Sequence, residues 1–198
     1  PVYADDKVKL GDSYGFKPLE LFKLSDRSAN MLAQDLNGDG LNDLILIDNS
    51  NSRIDVLQQR APGEKVSPDE MTDEVNGIPS DARLKHIKIP VDVSISALTV
   101  GDFNGDGLND LAYLALPDRL IIRYQTKTGE WSDRKRIRLA DLQPTQWTIA
   151  AGDLNHDQKT DLIVLGTNHT YVILQDQNGV LKTPRPILNT SPKLGLAA

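Results

Sequence analysis

Nine aspartates in this chain recur at spacings that suit the capture of a hard metal cation. Three segments align without gaps: Ala33-Gln-Asp-Leu-Asn-Gly-Asp-Gly-Leu-Asn-Asp-Leu-Ile-Leu46, Val100-Gly-Asp-Phe-Asn-Gly-Asp-Gly-Leu-Asn-Asp-Leu-Ala-Tyr113 and Ala151-Gly-Asp-Leu-Asn-His-Asp-Gln-Lys-Thr-Asp-Leu-Ile-Val164. Their shared core is Asp-x-Asn-x-Asp-x-x-x-Asp, followed by Leu and further apolar residues. Calcium takes six to eight oxygen ligands at about 2.3–2.6 Å. Side-chain oxygens at positions 1, 3 and 5 let a short loop wrap around one ion. They are Asp35, Asn37 and Asp39; Asp102, Asn104 and Asp106; and Asp153, Asn155 and Asp157. Position 7 offers its backbone carbonyl (Leu41, Leu108, Lys159), and position 9 the last carboxylate (Asp43, Asp110, Asp161). The expectation is up to three Ca²⁺ ions.

Position 6 must turn with positive φ, which favours glycine. Gly40 and Gly107 meet that need, whereas the third loop has Gln158 there and His156 at position 4. Its five donors remain but its backbone is more strained, so the third site is expected to be the weakest. An EF-hand competes for this pattern, but it requires a glutamate at position 12 and helices on both sides. Position 12 is Leu46, Tyr113 and Val164, and the flanks read as strands.

The elements that must carry these loops are short. A strand precedes each loop (30–34, 95–100, 148–151) and an apolar strand follows it (44–47, 111–116, 162–165). A third strand comes next (53–58, 119–125, 170–175), then a more polar fourth one (84–89, 135–139, 185–188). Turn residues such as Asp48-Asn49-Ser50-Asn51, Pro117-Asp118 and Gln177-Asn178-Gly179 separate them. The loop spacings are 67 (Asp35 to Asp102) and 51 (Asp102 to Asp153) residues. That length fits a four-stranded sheet, the unit of a β-propeller. The expected fold is therefore all-β, with about three blades: 28–90 with a loop insertion at 60–82, 94–140 and 146–189. Residues 16–24 read as an outer strand of a preceding blade, and 193–198 as the start of a following one. Closed propellers take about four to eight blades. The expectation is thus an arc of a larger propeller, or closure with another chain. A start at Pro1 without an initiator Met or signal pattern is consistent with a processed end or an excerpt.

Composition narrows the function. Aspartate supplies 23 of the 28 acidic residues, and the formal net charge is −6. Three divalent ions would formally cancel that charge. The acidic balance argues against a nucleic-acid partner, because phosphate binding needs a basic surface. No stretch approaches the roughly 18–20 apolar residues of a membrane-spanning helix. Cysteine is absent, which removes disulfide and thiol chemistry.

The repeat resembles the FG-GAP or VCBS-type repeat, which is also seen in the propeller of integrin α-subunits. That resemblance implies a propeller whose calcium lies between the first two strands of each blade. It also implies a secreted, periplasmic or cell-surface setting, with roles in adhesion, ligand binding or assembly. The expected function is a non-catalytic binding or scaffold module for a protein or glycan ligand. Two alternatives stand beside it: a propeller hydrolase or lyase, and a lectin-like domain. The sequence has no nucleophile elbow, zinc-ligand set or phosphate loop, and Asp48 and Asp118 are its catalytic candidates outside the loops. His86, His156 and His169 are read as surface residues, and Trp131 and Trp147 as fillers between blades. The run Arg134-Lys135-Arg136 with Arg138 reads as a solvated face of an outer strand.

Overall fold

The structure is a computed structural model, and it describes residues 24–25, 28–67, 83–132 and 134–190. Twelve strands form three four-stranded antiparallel sheets, and no helix occurs among the described residues. The first sheet holds β1 (Ser28–Gln34), β2 (Asp43–Asp48), β3 (Arg53–Gln59) and β4 (Leu84–Pro90) in that order. The second holds β5 (Ile95–Gly101), β6 (Asp110–Ala115), β7 (Arg119–Arg123) and β8 (Lys135–Arg138). The third holds β9 (Ile149–Gly152), β10 (Asp161–Leu165), β11 (His169–Ile173) and β12 (Arg185–Leu188). Each sheet is a simple meander, so every strand pairs with its neighbour in sequence. The sheets pack in succession as blades of an arc, and none closes on itself.

Packing follows from the period-2 alternation of side chains along a strand. In β6, Leu111, Tyr113 and Ala115 face the first blade, while Ala112 and Leu114 face the third. Both faces are covered, so β6 is buried throughout and reads as a continuous apolar run. The core between blades 1 and 2 joins Ile45, Ile47, Ile54 and Val56 to Leu98, Val100 and Tyr113. That between blades 2 and 3 joins Phe103, Leu114 and Ile122 to Leu162, Val164 and Ile173. Each such aliphatic side chain contributes about 1.5–3 kcal/mol on full burial. The pairing shifts register in β1 between Ala29 and Leu32. There Asn30 takes φ 52° and sends its amide to the Leu98 carbonyl of blade 2 at 3.2 Å.

The outermost strand of the second blade is cationic. Arg136 and Arg134 pair with Asp92, and Arg138 with Asp118 at 2.6 Å. Arg138 is 84% exposed, in keeping with a solvated edge strand.

Two expectations are corrected. His86 is not a surface residue: its ring is buried and its Nε2 lies 2.7 Å from Oδ1 of the fully buried Asp55. Arg53 approaches the same oxygen at 2.8 Å. β4 lies at the outer edge, but the face of the first blade directed away from the second is covered, in part by Leu24. Trp147 does not fill a gap between blades. It is 40% exposed, at a left-handed turn position with φ 64°, whereas Trp131 does pack against the core between blades 1 and 2. Within the expected insertion, residues 60–67 carry no strand, and 68–82 lie outside the described residues. So do 193–198 and all but Leu24 of the strand expected at 16–24.

Candidate metal loops

Each acidic loop closes the hairpin between the first two strands of its blade. Gln34 pairs with Asp43, Gly101 with Asp110 and Gly152 with Asp161, so position 9 is always the first residue of the second strand. The loop between the two is shaped by side chains that take up its own backbone N–H groups. In the first loop, Asp35 Oδ1 accepts the N–H of Gly38 (2.7 Å) and of Asp39 (3.2 Å), and Oδ2 that of Gly40 (2.8 Å). Asn37 Oδ1 accepts from the Asp39 N–H (3.1 Å), and Asp39 Oδ1 from Leu41 (2.7 Å). The second loop repeats this: Asp102 accepts from Gly105 (2.6 Å), Asp106 (3.3 Å) and Gly107 (2.9 Å), Asn104 from Asp106 (3.0 Å) and Asp106 from Leu108 (2.9 Å). In the third, Asp153 accepts from Asp157 (3.1 Å) and Gln158 (2.9 Å), Asn155 from Asp157 (3.1 Å) and Asp157 from Lys159 (3.0 Å).

Positions 4 and 6 are left-handed in every loop. Gly38 and Gly40 have φ 79° and 85°, Gly105 and Gly107 76° and 85°, and His156 and Gln158 63° and 65°. The third loop keeps the shape without the glycines. A side chain in this region carries about 1–2 kcal/mol of strain per residue.

Position 9 plays a part that the ligand pattern alone does not reveal. Asp43, Asp110 and Asp161 are fully buried, and each clamps two backbone N–H groups. One belongs to position 2 of the loop: Leu36 at 3.1 Å, Phe103 at 2.9 Å and Leu154 at 3.1 Å. The other belongs to a glutamine at or just past the end of the third strand: Gln59 at 2.8 Å, Gln125 at 2.9 Å and Gln175 at 2.8 Å. The sequence signal for this partner was available, since a glutamine recurs 14 to 16 residues after the last aspartate of each loop. The pattern of metal donors directs attention away from it.

The electrostatics suit a cation. Burial pushes Asp110 up to about 7, against the hydrogen bonds from Gln125 and Phe103 and with help from the charges of Asp106 and Asp102. Burial likewise raises Asp43, with Asp39 and Asp35 adding repulsion. In the first two loops the charges of the two outer carboxylates thus act on the buried one at position 9. The donor set is wholly oxygen, with three carboxylates, an amide and a backbone carbonyl, which is the chemistry of a calcium site rather than of a zinc or thiophilic one. The carboxylate oxygens lie against loop N–H groups, and no three Asp, Glu or His side chains converge into a formed metal cluster among the described residues. Asp35, Asn37, Asp39, Asp43 and their equivalents are therefore brought to one loop and one strand end. Leu41, Leu108 and Lys159 enter this network through their N–H groups.

The remaining candidates are accounted for locally. Asp48 is buried and bonds Ser25 (2.8 Å), Asn51 Nδ2 (2.6 Å) and the Ser50 N–H (3.1 Å) of its turn. Burial works to raise its pKa, but the bonds from Asn51 and Ser25 and the charge of Arg53 outweigh it and hold the carboxyl below the ordinary range. Asp118 pairs with Arg138 and Arg119. His169 Nδ1 lies 3.3 Å from Asp141, which also accepts the Tyr171 hydroxyl at 2.7 Å.

Three meander sheets stacked as blades, each with an acidic loop between its first two strands, define an arc of a β-propeller. Residues 102–164 match the family model described as an FG-GAP-like repeat, so this segment is similar to that family. The match begins on the first aspartate of the second loop and ends in β10, just past the third. No curated protein matches the chain.

Proposed function

We propose that this chain is part of a calcium-stabilised β-propeller that serves as a non-enzymatic binding or scaffold module, secreted, periplasmic or at the cell surface. The observation that carries this reading is the threefold recurrence of one all-oxygen donor set at the same point of every blade. The loop N–H groups hold the position 1, 3 and 5 side chains, and position 9 fastens the loop to the blade. Bound Ca²⁺ would be held by Asp35, Asn37, Asp39 and Asp43, with the Leu41 carbonyl, and by the equivalent residues of the other loops. It would supply positive charge to loops whose side-chain donors are carboxylates and an amide. Asp48 and Asp118, the carboxylates weighed for acid–base chemistry, are occupied by turn and ion-pair contacts, which favours the binding-module reading over a hydrolase or lyase.

The ligand is a protein or a glycan, and further blades from the same or another chain complete the propeller. The face of the third blade directed away from the second, which no described residue covers, supports the latter. Val172, Leu174, Arg185 and Ile187 line an open groove of about 260 Å³, where blades 1 and 2 carry a neighbouring blade on the corresponding face. Leu154 is 44% exposed, while its equivalents Leu36 and Phe103 are buried under the next blade.

Melting in Ca²⁺ and in chelator tests the calcium reading. At a hundredfold excess over Kd each occupied site adds about 2.7 kcal/mol, so chelation should lower Tm sharply. An unchanged Tm would count against it.

A further inference from the structure

We propose that the first and second loops are held in their ion-binding shape by the blade that follows each of them, through Asn109 and Gln175. Affinity at one site is then set partly by a side chain of the neighbouring blade. The inference rests on the reading of the loops as calcium sites.

The contacts run in one direction along the arc. Asn109, at position 8 of the second loop, donates its Nδ2 to the Asp35 carbonyl of the first loop at 2.6 Å. Gln125 of blade 2, with its amide nitrogen turned to the carbonyls, donates to Leu36 of the first loop and to Asn109, both at 3.0 Å. One blade further, Gln175 donates its Nε2 to the Asp102 carbonyl of the second loop at 3.0 Å. Gln175 is 2% exposed, and its own N–H is clamped by Asp161. The same residue therefore ties the strand end of its own blade to the loop of the previous one.

The turn after Gln175 adds a second contact. A Cβ placed on Gly179 would stand 1.8 Å from the Asn104 carbonyl oxygen, so only glycine lets this turn of blade 3 lie against the second loop. Gly101, just before that loop, also approaches Thr160 of the third loop, since a Cβ there would meet its Cγ2 at 2.7 Å.

The bonded carbonyls belong to Asp35 and Asp102, the residues whose carboxylates gather the loop N–H groups. Fixing the carbonyl fixes the peptide plane between positions 1 and 2. The carboxylate on one side and the position 2 N–H on the other are then set before an ion arrives. Supporting bonds of this kind commonly change metal affinity about 10–100-fold.

The test is a Ca²⁺ titration followed site by site in ¹⁵N–¹H spectra. The amides of Gly40, Gly107 and Gln158, which donate to the first aspartate of each loop, report the three sites. Gln175→Met keeps the length of the side chain and removes its donor. It should weaken Ca²⁺ binding at Gly107 about tenfold while the Gly40 and Gln158 responses stay unchanged. Asn109→Ala, at a half-buried site that should tolerate truncation, should weaken the Gly40 response and spare Gly107; it carries the test alone if Gln175→Met does not fold. A loss confined to the variant's own loop, spread evenly over all three, or absent would overturn the proposal. Wild-type amides that ignore Ca²⁺ would overturn the calcium reading itself, and this inference with it.

Discussion

At the scale of single residues, the third loop isolates what the glycines contribute. His156 and Gln158 occupy left-handed positions held by glycine in the other loops, and the loop still forms because its carboxylates take up the same N–H groups. Gln158→Gly should relieve strain of about 1–2 kcal/mol, less the extra chain entropy of glycine. The net expected stabilisation is about 0.5–1 kcal/mol in urea denaturation of the metal-free protein. A variant less stable than the parent would show that Gln158 makes a contact worth more than the strain. Tyr171 gives a second residue-scale prediction. Burial, then the hydrogen bond to Asp141 and its charge, push the phenol up to about 12. Its raised pKa favours the neutral form on folding. This contribution is complete below the ordinary tyrosine value near 10 and is lost as pH rises through 12. Asp141 acts at the other end. Burial tends to raise it, but the bonds from Tyr171, Asn168 and His169 prevail and lower it, so its contribution is lost only in acid. Tyr171→Phe should cost about 1–2 kcal/mol at neutral pH and flatten stability between pH 10 and 12. An unchanged alkaline slope in the variant would assign that slope to another group.

At the scale of elements, the strand order follows directly from the alternation of apolar residues and the turn residues between them. β2, β6 and β10 are legible as continuous apolar runs because both of their faces are buried. The motif spacing likewise places each loop between the first and second strands. What the sequence leaves hidden is which polar groups point inward. Asp55 and His86 sit on strands whose patterns are otherwise half polar, and only the cover over that face of blade 1 makes them buried partners. The backbone clamp made by position 9 is hidden for another reason. An aspartate that fits a ligand pattern offers no sign that its oxygens also hold Leu36 and Gln59, or Phe103 and Gln125. Asp110→Ala separates this clamp from the proposed ligand role. It would leave the N–H groups of Phe103 and Gln125 without their acceptor inside the blade. The expected loss is about 2–4 kcal/mol even without Ca²⁺, measured by denaturation in chelator. Equal stability of variant and parent under those conditions would restrict Asp110 to the ion.

At the scale of the whole molecule, the chain is an arc with unlike ends. The face of the first blade turned away from the second is covered and holds a buried group of Asp48, Arg53, Asp55 and His86. Among the described residues nothing packs over the corresponding face of the third blade, and Ile187 and Leu154 are nearly half exposed. Loop exposure follows the same gradient: Asp35 and Asp102 are half-buried beneath the next blade, while Asp153 is exposed. The proposed ion sites, the blade packing and the direction of the arc are thus linked in this account. The most direct test of its central claim is isothermal titration calorimetry of the metal-free chain with Ca²⁺, repeated on Asp35→Ala and Asp102→Ala. The account predicts at least two ions per chain, a weaker third, and the loss of one site in each variant. No binding at millimolar Ca²⁺, or binding that neither substitution alters, would contradict it.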